Sequence, residues 1–439
     1  MTATPAQSAF WFVSPPHAPR PNRPWQPLSD RNFWERDDRR PGEQPLYAPP
    51  PPWADDLHRV ARAVFLADKH THRDTVFDQW TRRIRLSVPV AEPERWQRVR
   101  PLLTGLLRTM TADVWELQLR AMEPGAATPL PLSFGPDARA AEVALFSGGL
   151  DSLSWAARRA AVPTADTLLL VTFGEPNFEA LQREVLQSVY RRRRRPIRRL
   201  LLSQTVRRSG DGDGPELERS TRSRGFLYAT AAIRAAAAEG AAVAHIPENG
   251  YLAINPPLSA ARSAACSTRS VHPWTLHQLN RLITGLGGEV RVENPLAGLT
   301  KGEVCRAALR DAGLTPRELK NTLSCGTPPP RRPGDADLLH CGVCYPCLVR
   351  RAGLLAALGE DGTPYEADPW ALDGGHDRAV HWRAVQRWLR RPYTSRDLIA
   401  DTPLPPGGPD LDEVVRIIDR GRAELRALVR SSTTRARGA

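Results

Sequence analysis

Apolar residues along this chain fall into short runs separated by polar turns, and the spacing inside each run predicts its element. Val60, Ala63, Val64, Phe65 and Leu66 read as a strand, and Ile84, Leu86, Val88 and Val90 alternate as a second. Trp96, Val99, Leu102, Leu103, Leu106 and Leu107 share one helical face and precede a strand near residues 114–119, which gives a small α+β domain over 54–135. From Val143 strands and helices alternate. An apolar run ending at Phe146 meets a Ser-Gly-Gly turn and gives way to a helix carrying Leu153, Trp155 and Ala156. A continuous apolar run over 168–173 suits a parallel strand covered on both faces. A helix over 178–190, a strand over 200–202, an alanine-rich helix over 221–239 and a strand over 241–246 follow. Repeated β–α units predict an α/β fold with a doubly wound parallel sheet over 136–320, its ligands bound beyond the carboxyl ends of the strands. Two amphipathic helices, over 380–389 and 411–429, predict a helical tail over 361–439 whose apolar faces either close a core or receive a partner.

Residues 1–53 break this pattern. They hold thirteen of the 42 prolines, with Trp11, Trp25 and Trp34 among them, and are expected to run extended without regular elements, either loose or laid across another surface. The run Arg191 to Arg195 reads as a solvated helix end, the loop over 209–215 as Gly- and Asp-rich, and His70 and His72 as surface residues.

Composition changes the picture in three places. The formal charge is +13, yet only Lys69, Lys301 and Lys320 among the 61 basic residues are lysines. Arginine and alanine in such excess also follow from a GC-rich genome, so a nucleic-acid partner is admitted but not favoured. No apolar run reaches the roughly 18 residues of a membrane span, and no signal peptide opens the chain, so a cytoplasmic protein without a membrane partner is expected. Six cysteines in such a protein argue for metal or catalysis before disulfides.

The chemistry concentrates at Ser147-Gly148-Gly149-Leu150-Asp151-Ser152. Two glycines let successive backbone amides turn inward around an anion, at a helix N-terminus whose dipole favours negative charge. Ser147 and Ser152 add hydroxyl donors, and Asp151 is placed to orient the loop or to hold Mg²⁺. No lysine follows the glycines, which sets this loop apart from GxxxxGK[ST]. The pattern resembles the pyrophosphate loop of the ATP pyrophosphatases, which cleave ATP to AMP and pyrophosphate. Cys341, Cys344 and Cys347 form two overlapping CxxC steps, with Cys325 sixteen residues upstream as a fourth thiolate. Four sulfurs satisfy tetrahedral Zn²⁺ and leave no open position, which predicts a structural site over 321–360; an iron–sulfur cluster uses the same donors. Cys305 reads as core beside Val304 and Leu309, and Cys266 lies in a polar loop.

With both signals present, residues 141 to about 358 resemble the 7-cyano-7-deazaguanine synthase (QueC) family. The resemblance rests on residues 147–152, on Asn294-Pro295-Leu296 and Leu299-Thr300-Lys301-Gly302-Glu303-Val304, and on Cys325, Cys341, Cys344 and Cys347 followed by Arg350. It implies an ATP pyrophosphatase fold with ATP, Mg²⁺ and structural Zn²⁺, adenylation of a 7-carboxy-7-deazaguanine-like substrate, and transfer to nitrogen. It further implies nucleotide binding by residues 147–152 and Arg224, catalysis by Ser147, Asp151 and Lys301, and base binding near Glu248, Asn249 and Arg269. Three departures stand out. The family's Arg-Asn pair is Arg224-Gly225 here, the stretch over 248–273 is longer, and both ends of the chain are extended. These features resemble the QueC-like branch of bacterial anti-phage defence operons, the Qat (QatC) type, and imply a protein partner or protein substrate from the same operon. Two other readings remain open: a tRNA-thiolating pyrophosphatase, and a non-catalytic adaptor that binds nucleotide or nucleic acid.

Overall fold

The computed structural model describes residues 7–13, 24–33, 45–123, 138–174, 178–206, 216–220, 222–258, 269–329, 340–373, 375–401 and 403–438. Within them the strands form two sheets in which every pairing is parallel. The first contains β1 (Gln7–Val13), β2 (Gln26–Ser29), β3 (Arg83–Val90) and β4 (Val114–Ala121) in the order β2-β1-β3-β4. The N-terminal residues expected to lack regular structure therefore supply half of this sheet. Phe10, Phe12, Leu28 and Phe33 fill its core. Pro27 is accommodated because β2 is an edge strand, where one amide has no ladder to serve. Trp11 and Trp25 meet edge to face, 5.8 Å apart; Trp34 lies outside the described residues.

The strand expected around Val60–Leu66 is instead part of an 18-residue helix, α1 (Pro52–Lys69), which opens on a proline whose missing amide costs nothing there. Leu57, Val60, Ala61, Ala63, Val64, Phe65, Leu66 and Ala67 are all buried. A helix covered on nearly every side loses the polar positions that would betray its period, and the remaining apolar run imitates a strand. The second helix, α2 (Pro93–Thr111), matches its predicted face.

The second sheet contains β5 (Ala140–Leu145), β6 (Thr167–Gly174), β7 (Ile197–Ser203), β8 (Val243–His245) and β9 (Arg291–Glu293) in the order β7-β6-β5-β8-β9. The chain winds outward from β5 to β7 and then returns to place β8 on the other side of β5. That reversal opens a crevice at the carboxyl ends of β5 and β8. Helices α3 (Leu150–Ala160), α4 (Glu179–Tyr190) and α8 (Lys301–Ala312) share a core with Ala144, Leu168 and Leu170 on one face. Helices α5 (Arg224–Glu239) and α7 (Pro273–Gly285) pack with Val143, Leu169 and Val171 on the other. The short helices α6 (Gly250–Ile254) and α9 (Pro316–Lys320) follow β8 and α8. Because α1 lies on α5 and α2 on α7, one continuous core runs from the first sheet to the second.

Helices α10 (Tyr345–Leu358), α11 (Val380–Arg390), α12 (Ser395–Asp401) and α13 (Leu411–Gly438) complete the chain. The apolar faces of the tail close a core of their own: Trp382, Val385, Trp388, Ile417, Ile418 and Leu425 pack with Leu348 and Val349 of α10. No helix among the described residues is long and apolar enough to cross a membrane.

Two arginine clusters hold the layers together. The run 191–195 is solvated only in part: Arg191, Arg193 and Arg194 are exposed, whereas Arg192 and Arg195 turn inward. Arg192 donates to the carbonyls of Ala312 and Gly313 at the close of α8, both at 2.7 Å, and pairs with Glu318, which Arg191 also reaches. Arg195 is buried against Glu142. Burial works against the Glu318 charge, but the Arg192 and Arg191 guanidiniums more than offset it and bring the carboxyl to about 2. Elsewhere Arg82, fully buried, bonds Asp68 at 2.5 Å and Asp113 at 2.6 Å, and Arg73 grips Asp113 at 2.9 and 3.0 Å. The second oxygen of Asp68 accepts the amide and hydroxyl of Ser223, the residue that opens α5. This network joins the N-terminal layers to the second sheet.

Arg82→Ala leaves two buried carboxylates without their shared cation, and denaturant unfolding should show a loss of about 3–5 kcal/mol. An unchanged midpoint would show that the network contributes nothing. The Glu318 contribution is present above the ordinary carboxylate value of 4.5 and is lost as pH falls from there towards about 2. Glu318→Gln should therefore flatten that acid limb of the stability curve while leaving its slope at neutral pH unchanged.

Candidate active site

β5 ends where buried Phe146 passes the chain to Ser147, Gly148 and Gly149 before α3 begins. Gly148 has a φ of +78°, and a Cβ there would stand 3.3 Å from Gln182 Cγ; on Gly149 it would stand 3.0 Å from the Leu323 carbonyl. The loop is thus squeezed from both sides, which only glycine allows. Gln182 Nε2 donates to the carbonyls of Ser147 at 3.2 Å and Phe173 at 3.1 Å, and the Leu323 amide donates to Gly148 at 3.4 Å. Ser147 Oγ accepts the Gly149 amide and lies 3.2 Å from Ser152 Oγ, which donates to the Gly149 carbonyl. No side chain caps α3, so the amides of its first turn are suited to an anion.

Asp151, at the second helical position, is buried. Its Oδ2 accepts Lys301 Nζ at 2.6 Å, the Asn249 amide at 3.1 Å and Asn249 Nδ2 at 2.9 Å, while no N–H group reaches its buried Oδ1 and the Glu248 carboxyl lies within hydrogen-bond range of the aspartate. Asn249 Nδ2 also reaches Glu248 Oε1 at 2.9 Å, and Asn249 Oδ1 caps α6 through the Leu252 amide. Lys301 Nζ lies 4.0 Å from Glu248. Asn294 Oδ1 accepts the amides of Glu248 and Leu296, both at 3.1 Å, and so fixes the turn behind the cluster. Three segments, after β5, after β8 and opening α8, therefore meet at the crevice made by the winding reversal.

The charges are mutually dependent. Burial pushes Asp151 up, but the Lys301 ammonium more than offsets it and holds the carboxyl below the usual carboxylate range. Burial opposes the Lys301 charge, yet Asp151 and then Glu248 raise it above its ordinary value. Glu248, with 35% of its side chain exposed, is pushed well above the usual range by its surroundings and by the Asp151 charge. The site thus holds one fixed ion pair and one carboxyl suited to exchanging a proton.

Of the residues singled out in the sequence, Ser147, Gly148, Gly149, Leu150, Asp151, Ser152, Glu248, Asn249 and Lys301 come together. Arg224 opens α5, its guanidinium 6.0 Å over Tyr228, which stacks on Phe173 at 4.2 Å. A side chain at Gly225 would meet Ser270 Oγ at 2.0 Å, so no amide fits beside Arg224. Arg269 ion-pairs with Asp401 of α12 at 3.1 Å. Cys305 is core, its thiol pushed up to about 12 by burial; Cys266 lies outside the described residues. Gln182 escaped sequence reasoning, although a signal existed: it is a polar residue on the face of α4 that Leu181, Val185, Leu186 and Val189 bury.

The four thiols of Cys325, Cys341, Cys344 and Cys347 lie within 4.8 Å of one another. Two pairs are separated by 3.8 and 3.9 Å, close to the edge of about 3.8 Å that a tetrahedron of 2.3 Å zinc–sulfur bonds requires. Amides of Gly326, Cys341 and Cys344 point at sulfurs at 3.4 Å, which favours thiolates. The space suits a single ion such as Zn²⁺, with no open coordination position. Arg350, fully buried on α10, ties this centre to the loop: it donates to Thr322 Oγ1 at 2.8 Å and to the carbonyls of Leu319 and Lys320, next to the Leu323 that presses on Gly149.

No family model matches the chain. Over 81 residues it is 38% identical to the 7-cyano-7-deazaguanine synthases of Cupriavidus taiwanensis and Cupriavidus necator, a stretch that is 18% of this chain and 31% of each relative. Over 79 residues it is 43% identical to the 7-cyano-7-deazaguanine synthase of Novosphingobium aromaticivorans, covering 18% of this chain and 30% of the relative. The chain thus spans just under a third of the length of the curated relatives it matches.

Cys344→Ser should cost the chain its single bound metal ion and lower its melting temperature, because metal affinity at such a site is folding free energy. Elemental analysis of purified protein checks this; a folded wild-type chain without metal, or with iron in place of zinc, would contradict it.

Proposed function

We propose that this chain cleaves ATP to AMP and pyrophosphate while activating the carboxylate of a 7-carboxy-7-deazaguanine-like molecule, and that it passes the acyl group to nitrogen. One observation carries the reading: the Gly148–Gly149 loop and the Asp151–Lys301–Glu248 cluster converge where the parallel sheet reverses its winding. The partial likeness to 7-cyano-7-deazaguanine synthases supplies the substrate class.

In this reading the loop amides and the hydroxyls of Ser147 and Ser152 cradle the phosphates. Without a lysine after the glycines, the loop suits attack at the α-phosphorus. A substrate carboxylate oxygen bonds to that phosphorus as the bond to pyrophosphate breaks, and Lys301, aimed by Asp151, stabilises charge on the departing group. The buried Oδ1 of Asp151 would hold Mg²⁺, which when bound neutralises phosphate charge. A nitrogen nucleophile then bonds to the acyl carbon, the bond to AMP breaks, and Glu248 takes the proton that nitrogen sheds. The acceptor proposed is a protein amine from a partner in an anti-phage setting. Ammonia, giving an amide and, with a second ATP, a nitrile, is the outcome that product analysis separates from it. Thiolation is disfavoured by the burial of Cys305, and Cys266→Ser tests the other cysteine.

Given 7-carboxy-7-deazaguanine, Mg²⁺ and ATP, the chain should release AMP and pyrophosphate, and Ser147→Ala, Asp151→Ala and Lys301→Ala should each slow this by about 10²-fold. ADP as the sole nucleotide product would refute the reading.

A further inference from the structure

We propose that Glu424, on the tail helix α13, is a positioning residue for Lys301, so that the C-terminal tail forms part of the active-site apparatus. The inference rests on the role given to Lys301 above. Thr300 caps α8 and Lys301 takes the first helical position. The Thr300 hydroxyl accepts the Glu303 amide at 3.3 Å and donates to Glu424 Oε1 at 2.5 Å, while the Gly302 amide donates to Glu424 Oε2 at 3.2 Å. The two oxygens of one carboxylate thus hold the residues on either side of Lys301. A Cβ on Gly302 would stand 2.5 Å from Glu424 Oε1, and one on Gly353 of α10 would stand 2.5 Å from Lys301 Cγ, so the lysine stem and its backbone run through a gap made by two glycines.

The same face of α13 grips the opposite side of the site. One turn earlier, Arg420 donates to the Gly298 carbonyl at 2.7 Å and pairs with Glu303 at 2.8 Å. Gly421 lies against the Tyr251 ring, where a Cβ would come within 2.3 Å, and Ile417 reaches Gly250. Gly250 and Tyr251 directly follow Asn249. A single helix therefore clamps both segments that deliver Lys301 and Asn249 to Asp151. The negative charge of Glu424 also complements the α8 N-terminus. A glutamine there removes the charge and can accept only through one atom, so the Thr300 hydroxyl must turn from donor to acceptor if the Gly302 amide is to stay bonded.

The test exploits the presence of only three lysines in the chain. Full-length wild type and Glu424→Gln are treated with trinitrobenzenesulfonate, and labelling is mapped by mass spectrometry. Lys301, buried in the wild type, should label about tenfold faster in the variant, with Lys69 and Lys320 unchanged as internal controls, since a loosened turn before α8 opens more often and lets the lysine leave Asp151 and meet reagent, while any lasting displacement spoils its alignment. Pyrophosphate release should show a correspondingly lower kcat with KM for ATP little altered, and Glu424→Gln should add almost nothing in a Lys301→Ala background. Unchanged Lys301 labelling, or a full additional loss in that background, overturns the proposal. If Glu424→Gln does not fold, and all three lysines label, Glu424→Asp replaces it; this keeps the charge but is too short to reach both donors, and the same two outcomes decide. Labelling reads positioning whether or not ATP is turned over, so failure of the proposed activity is distinct from failure of this inference.

Discussion

The buried contact between Lys301 and Asp151 is the constraint to which the lower half of the molecule conforms. An ammonium and a carboxylate withdrawn from water lose hydration worth several kcal/mol each, and their attraction compensates only when geometry is tight and the remaining hydrogen bonds are filled. Here Asn249 supplies two of those bonds. The lysine begins a helix whose capping box fixes its direction, and the aspartate sits in the first turn of another. Neither helix end is free to drift, because Gln182 and Leu323 hold the loop before α3 while Glu424 and Arg420 hold the turn before α8.

The metal centre belongs to the same scheme. Four thiols gathered within reach of one ion would, with that ion bound, replace the secondary structure that Pro328 and Pro329 forbid. From there Arg350 reaches back to the carbonyls at the end of α9, and Leu323 follows them onto the glycine loop. The four-thiol centre thus bears on the glycine loop only through backbone placement.

What was legible in the sequence was whatever is encoded locally. Residues 147–152 carry their loop in their own glycines, the cysteine spacing carries the metal donor set, and continuous apolar runs such as 168–173 carry a parallel sheet. Interactions set by distant partners were not legible. The period of α1 vanished because α5 and the first sheet cover it together. Arg192 looked solvated because its acceptors at Ala312, Gly313 and Glu318 lie more than a hundred residues away. The prolines and tryptophans before residue 53 gave no hint of β1 and β2, since β1 is held by pairing with β3, more than seventy residues on, and β2 in turn by β1. Glu424 carries no motif at all; only the fold sets it beside Thr300.

The sharing of one core between the two sheets bears on how the chain is made. The first sheet and both its helices are complete by residue 121, yet the outer side of α1 is covered by α5, which begins at Arg224, and that of α2 by α7, which begins at Pro273. A ribosome must therefore add about another hundred and fifty residues before those surfaces are shielded, at the usual pace of roughly 5–20 residues per second. During that interval the nascent N-terminal layers present an apolar face to solvent, and the bond between Asp68 and Ser223 ties α1 to α5 once α5 has formed.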